Sequence, residues 1–311
     1  VWNFASNNGV LEMLRRLSVA VVFTMLVEGL VPSWLCAQTL FPQLGEPIGR
    51  RSIASAVNES SEEGNGSGWV SEEIETDRDS FTPATTLAGR KRMIVESAYS
   101  FIDNRRVPDT HSYPELLFRY GLTDRVELRL GTNYEVGGAG NPISANVPDE
   151  LAEESEIEDE TNVSYGAKIG VSRQAGWLPQ SVFIVSGFSP VQGNASDSHL
   201  AMTYAAGWTF ANKWMWDNSV RYSTGSFEED HFNVWSPSTV IKIPLGERWK
   251  GHVEYFGIFS QGKTRETVQQ FVSPGIHYLF SKNTEFGTRF GWGMNDQAPN
   301  AFINIGGGVR F

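Results

Sequence analysis

The stretch Arg125–Glu135, "RVELRLGTNYE", decides how the chain is read. Val126, Leu128, Leu130, Thr132 and Tyr134 fall on one face of an extended strand, and Arg125, Glu127, Arg129, Asn133 and Glu135 fall on the other. Period-two alternation is the signature of a strand with one apolar and one wet side. A soluble sheet could show it once, but here it recurs. In "HLAMTYAAGWTF" Leu200, Met202, Tyr204, Ala206, Trp208 and Phe210 oppose Ala201, Thr203, Ala205, Gly207 and Thr209. In "QFVSPGIHYLF" Val272, Pro274, Ile276, Tyr278 and Phe280 oppose Ser273, Gly275 and His277.

From Arg90 onward such segments number about twelve, near 92–102, 112–120, 125–136, 162–172, 180–188, 199–210, 214–223, 232–243, 249–259, 267–280, 284–294 and 301–311. Each has roughly the ~9–11 residues that cross a bilayer at a tilt, and an even number suits a single-chain barrel. The connections alternate. "GLTD", "RQAGWLP", "ANK", "PLGER" and "SKNT" are short, while "DNRRVPDT", the acidic Gly137–Thr161 stretch, "SPVQGNASDS", "TGSFEED", "SQGKTRE" and "NDQAPN" are longer or more polar. Short periplasmic turns alternating with longer outer loops is the outer-membrane pattern. The expected fold is therefore all-β: a transmembrane antiparallel up-and-down β-barrel over residues 90–311.

Aromatic residues mark the rims, where amphipathic rings favour the headgroup zone. Tyr120, Trp177, Phe210, Trp214, Trp216, Trp249, Phe280 and Phe311 stand at the short-turn ends; Phe101, Tyr134, Phe188, Tyr222, Phe259 and Trp292 are candidates for the second girdle.

Two segments precede the barrel. Residues 1–37 read as a secretory signal, with Met13 as an alternative start, basic Arg15 and Arg16, an apolar run from Leu17 to Leu30, and cleavage near Ala37. Cys36, the sole cysteine, would leave with it. Residues 38–89 are polar and acidic, and the expectation is a disordered periplasmic linker. A plug folded back into the barrel is the alternative, supported by Trp69 and Ile74.

The net charge of −11 comes from this segment, the Gly137–Thr161 loop and "TGSFEED"; together they carry more negative charge than the whole, so the remainder is basic. The acidity belongs to aqueous appendages and disfavours nucleic acid as a partner. "PDELAEESEIEDE" lacks the spaced Asp/Asn-Gly turn of a calcium loop and reads as a solvated acidic loop.

The inward faces carry the candidate lumen or solute-contact residues Glu96, Glu115, Arg119, Glu127, Arg129, Lys168, Arg221, His252, Glu254, Phe256, His277 and Arg289. Both signs are interleaved, so a mutually paired network bracing the wall is the first expectation. Orientation of a small polar or aromatic solute, with Phe256, His252 and His277 stacking or hydrogen-bonding, is the second. No spacing singles out a nucleophile, a phosphate loop or a Cys/His metal set, so neither catalysis nor a cofactor is expected.

"ESAYSF" (Glu96–Phe101), "PELLFRYGLTDRVELRLG" (Pro114–Gly131), "GWLPQ" (Gly176–Gln180), "VEYFG" (Val253–Gly257) and "GIHYLF" (Gly275–Phe280) resemble the outer-membrane transporter family associated with the MetA pathway of phenol degradation. The resemblance covers most of 90–311. It implies a bacterial outer-membrane barrel, among membrane lipids, passing a small aromatic or hydrophobic molecule. A blocked structural or adhesive barrel is the rival reading; a lipid-active enzyme is a more distant one.

The chain ends "NIGGGVRF", with Asn304, Gly306, Val309 and Phe311 matching place by place the C-terminal signal read by the β-barrel assembly machinery. Deleting Phe311 is expected to lower the fraction of chain that reaches the folded, heat-modifiable form in membranes, measured by gel mobility with and without boiling.

Overall fold

The computed structural model describes residues 68–145, 153–193, 198–227 and 230–311. The expected signal peptide and residues 38–67 lie outside the described residues. Twelve strands form one closed antiparallel barrel: β1 (Met93–Asp103), β2 (Thr110–Gly121), β3 (Val126–Ala139), β4 (Glu153–Ser172), β5 (Gln180–Gln192), β6 (His199–Thr209), β7 (Met215–Phe227), β8 (Asp230–Pro244), β9 (Trp249–Gln261), β10 (Val268–Ser281), β11 (Thr284–Gly293) and β12 (Ala301–Arg310). Neighbours in sequence are neighbours in space, and β1 closes on β12 with Ile94 opposite Arg310 and Asp103 opposite Ala301. Closure leaves no sheet edge, which is the condition for strands to span hydrocarbon.

The alternation holds around the wall. Leu128, Leu130, Tyr165, Val253, Ile276 and Phe290 are exposed on the outside, while Glu127, Arg129, Lys168, His252, Glu254 and Arg289 are buried within. The short-turn girdle stands outward, from Tyr120 through Trp177 and Trp214 to Phe311. One member of the other girdle does not. Phe188 is buried on the inner face beneath the Arg221 guanidinium, because β5 places Val182, Ile184 and Phe188 inward together. The C-terminal stretch alternates as expected, with Asn304 and Arg310 buried and Val309 and Phe311 exposed.

Several strands run longer than the sequence suggests. β4 begins at Glu153, pairing with Ala139, so half of the expected acidic loop is strand. β7 and β8 likewise pair as far as Phe227 and Asp230. Where a hairpin rises above a bilayer both faces meet water, and hydrophobic alternation ceases to report the pairing.

The larger correction concerns the linker. Residues 68–89 lie inside the barrel, and Ile74, Asp77, Phe81, Thr82, Ala84 and Ala88 are almost wholly buried. We call this segment the plug. Its first end is held at the short-turn rim, with the Trp69 ring flanked by Arg125 and Arg173 at 4.9 and 4.6 Å and its carbonyl accepting from Leu87 N–H. Ile74 N–H donates to the carbonyl of Lys282 in the β10–β11 turn, and Arg310 donates to the carbonyls of Ser71 and Glu72. Its second end leaves at the same rim through Gly89, whose φ of +87° is left-handed backbone suited to glycine. A Cβ on Gly121 would stand 1.7 Å from the Gly89 carbonyl oxygen.

Low apolar content suggested disorder because it cannot offset the entropy of ordering a free chain. Here most of the plug's buried contacts are to a rigid wall, which supplies the missing surface and the opposite charges.

Gly121→Ala is expected to displace the Gly89–Arg90 connection while the barrel remains closed. Trypsin cleavage between Arg78 and Arg92 would rise, with heat-modifiability retained.

Candidate functional site: the plugged lumen

Three consecutive plug residues reach two opposite-charge sectors of the wall, β2–β4 and β8. Asp77 meets β2, β3 and β4: Lys168 Nζ lies 3.1 Å from both its carboxylate oxygens, Arg119 Nε lies 3.7 Å away, and Arg129 Nη1 donates to Oδ2. Arg78 donates through Nη1 to Glu115 at 2.8 Å and through Nη2 to the carbonyl of Leu116. Asp79 accepts from Lys242 of β8 at 3.0 Å.

Arg119 is the central cation. It donates to Glu127 and Glu96 at 2.8 Å each, and to the plug carbonyls of Glu75 and Thr86 at 2.9 and 3.3 Å. Glu96 and Glu127 in turn accept the backbone N–H groups of Asp77 and Ala88. Wall and plug thus share one network, in which each buried charge has an opposite partner, as burial demands. On the far side Glu254 of β9 accepts Phe81 N–H at 2.9 Å, Thr82 N–H at 2.7 Å and Arg289 at 3.1 Å.

Burial alone would raise the carboxyl of Asp77, but Arg119, Lys168 and Arg129 together hold it well below its ordinary 3.8. A carboxylate lowered in this way adds stability that is complete above the ordinary value and lost as pH falls through the lowered one.

Beyond the charges, toward the long-loop rim, the lumen is apolar. Phe81 stacks on Phe256 at 4.5 Å with an interplanar angle of 3°, and Phe256 stacks on Phe271 at 4.6 Å. Ile102, Val234, Ile258 and Phe302 complete the cluster. The β3–β4 connection enters from this rim: Ile143 is fully buried in the cluster and its carbonyl accepts from Arg289, while Asn141 donates to Glu115 at 2.8 Å. Ser144 Oγ accepts from Arg78 at 3.3 Å, so the segments from the two rims meet. A cavity of about 360 Å³ remains at the short-turn rim, lined by Glu73, Glu75, Gln180, Lys213, Lys242 and Lys250 among others.

All twelve candidate lumen residues face inward. Glu96, Glu115, Arg119, Glu127, Arg129, Lys168, Glu254, Phe256 and Arg289 touch the plug or its immediate partners. His252 and His277 contact each other, with Nδ1 and Nε2 2.6 Å apart. Arg221 packs on Phe188 at 5.4 Å. Sequence reasoning missed Asp77, Arg78, Asp79 and Phe81, and missed the apolar chamber. The signal was "TDRDSF": a clustered charge pattern ahead of an aromatic, in a stretch otherwise without periodicity.

A closed twelve-stranded barrel with an apolar exterior, rim aromatics and a buried polar interior defines a bacterial outer-membrane β-barrel protein. The family described as "Putative MetA-pathway of phenol degradation" matches residues 76–311, and the chain belongs to it. The match begins inside the plug, so Asp77 to Phe81 belong to the family unit. An outer membrane channel from Pseudomonas putida F1 superposes with a TM-score of 0.53 at 11% identity, covering 77% of this chain and 100% of that one. The translocator domain of the autotransporter NalP from Neisseria meningitidis gives 0.43 at 11% identity, over 71% and 88%. At these identities the likeness concerns the fold. No curated protein matches the sequence.

Asp77→Asn removes one partner from Arg119, Arg129 and Lys168 together and leaves excess buried cation. Loss of one member of a buried ion pair costs about 3–5 kcal/mol. The variant is expected to lose hydrogen-exchange protection across 68–88 while the strands keep theirs.

Proposed function

We propose that this protein is an outer-membrane channel through which a small aromatic or hydrophobic molecule passes by diffusion, and that the plug holds it shut. The observation that carries the reading is the way the plug is attached. Its contacts with the wall are side-chain ion pairs, hydrogen bonds and ring stacking, while the barrel closes strand to strand without it. Such contacts can be exchanged for water or solute while the wall stands. Withdrawal would expose a passage lined by the Arg119 network below and by Phe256, Phe271, Phe302, Ile102 and Ile258 above. That sequence of charged and aromatic surfaces suits a planar aromatic molecule with a polar group, in keeping with the phenol degradation named in the family's description.

The rival is a barrel whose lumen stays filled, as a structural or adhesive element. The contact of plug and β3–β4 connection at the centre favours it, since two segments would have to part. The two readings differ in whether the plug moves.

Thr82 Oγ1 and Ser238 Oγ lie 2.8 Å apart across the plug–wall boundary. The double variant Thr82→Cys, Ser238→Cys in a Cys36→Ser background is expected to form a disulfide that abolishes solute flux in liposome swelling, with flux restored by reductant. Flux that is equal in the oxidised and reduced forms would eliminate the plug as the gate, and absence of flux in both would favour the filled barrel.

A further inference from the structure

His252 of β9 and His277 of β10 are both buried, stacked at a centroid distance of 4.8 Å, and neither is used by the ion network that anchors the plug. Each lies against a glycine on the neighbouring strand. A Cβ on Gly275 would stand 2.2 Å from His252 Cε1, and one on Gly287 would stand 2.3 Å from His277 Nδ1. The pairing register sets these glycines opposite the two histidines. The wall is therefore cut away to seat two imidazoles.

His277 Nε2 and His252 Nδ1 share one hydrogen bond of 2.6 Å. When His277 donates it, His277 Nδ1 presents a lone pair. That atom is buried without a hydrogen-bond partner and lies 3.6 Å from Glu285 Oε1 of β11, beyond hydrogen-bond reach. Asp79 of the plug offers a third ligand, and one atom from each of Asp79, His277 and Glu285 falls within 4.8 Å of the other two. A cavity of about 10 Å³, lined by Asp79, His277, Thr76, Arg78, Arg289 and Asn304 among others, adjoins the first two of these ligands. That is room for about one water-sized sphere.

We propose that Asp79, His277 and Glu285 form a site for one divalent transition-metal ion, with His252 as the positioning residue behind His277. With His277 in that tautomer two acceptors face each other across 3.6 Å, Glu285 Oε1 also accepting the Thr76 hydroxyl at 3.3 Å, and a cation between them removes the conflict. For ligand bonds of ~2.0–2.2 Å, tetrahedral geometry puts donor atoms roughly 3.3–3.5 Å apart. The His277–Glu285 separation of 3.6 Å is already close to that, and all three ligand atoms lie within 4.8 Å of one another, so a small contraction would close the set around an ion. A mixed imidazole and carboxylate set favours Zn²⁺-like ions over Ca²⁺ or Mg²⁺, which take oxygen. A hydrogen bond from the far nitrogen of the ligating histidine is the usual support of such a site. Lys242 occupies Oδ2 of Asp79 at 3.0 Å, so the ion would take Oδ1, which now accepts the Ser80 hydroxyl at 3.2 Å. Two ligands come from the wall and one from the plug, so the bound ion ties one to the other. The site does not depend on whether the barrel conducts.

The test is calorimetric titration of the full folded chain in detergent with Zn²⁺, and with Co²⁺ for its visible absorption. One ion per chain is expected. His277→Ala and Glu285→Gln should each weaken binding at least tenfold and abolish the Co²⁺ band; His252→Phe should weaken it about 10–100-fold. Asp79→Asn should weaken binding too, and Zn²⁺ should then no longer slow proteolysis of the plug as it does in the wild type. His111, His199 and His231 lie elsewhere, and their combined replacement by alanine should leave the stoichiometry at one. Heat-modifiability establishes that each variant is folded. A wild type that takes up no Zn²⁺, or a folded His277→Ala that binds as tightly as the wild type, overturns the proposal.

Discussion

Hydrocarbon offers no partner to a backbone N–H or carbonyl, and the rest of this molecule answers that constraint. A chain that crosses lipid as strands must close its sheet, so β1 has to find β12. Closure creates an interior whose contents then need explanation. A wall of alternating residues sends its polar half inward, and ionised groups facing a filled space cannot stay unpaired. The Arg119 network and the plug are two halves of one solution. The wall contributes an excess of cations around Asp77, and the plug brings the carboxylate and carbonyls that complete their coordination.

Much of the wall was legible in advance because the alternation comes directly from the pleat. Val126, Leu128 and Leu130 had to share a face whatever the tertiary context, and the rim aromatics and turn lengths gave orientation. Legibility failed where that physics is suspended. The acidic residues from Glu153 onward are strand without looking like strand, since their sequence carries no apolar alternation. Phe188 carried the composition of a girdle but the parity of a lumen residue, and parity governs.

The plug was harder to see for a different reason. Asp77 is 52 residues from Arg129 and 91 from Lys168, and Phe81 lies far along the chain from Phe256. Nothing local records such pairings, and in the sequence the charges of "TDRDS" look like solvated ones. The inward set reads in the sequence as a charged network with its partners across neighbouring strands. Many of them stand in the middle of the lumen instead. The upper chamber was equally hidden, because an apolar residue on an inward face reads as a lapse in the pattern until Phe81 and Ile143 are placed against it.

Both ends of the plug pass the same rim, Trp69 beside Arg125 and Arg173, and Gly89 beside Gly121. Topologically it is a slipped-in loop, not a threaded rod. A rod could leave a sealed cylinder only by drawing a free terminus through it, whereas a loop can slide out and back with both tethers fast and no knot formed or undone. The order of assembly is correspondingly relaxed: β12 can zip onto β1 around a water-filled tube, and the loop can be swallowed afterwards.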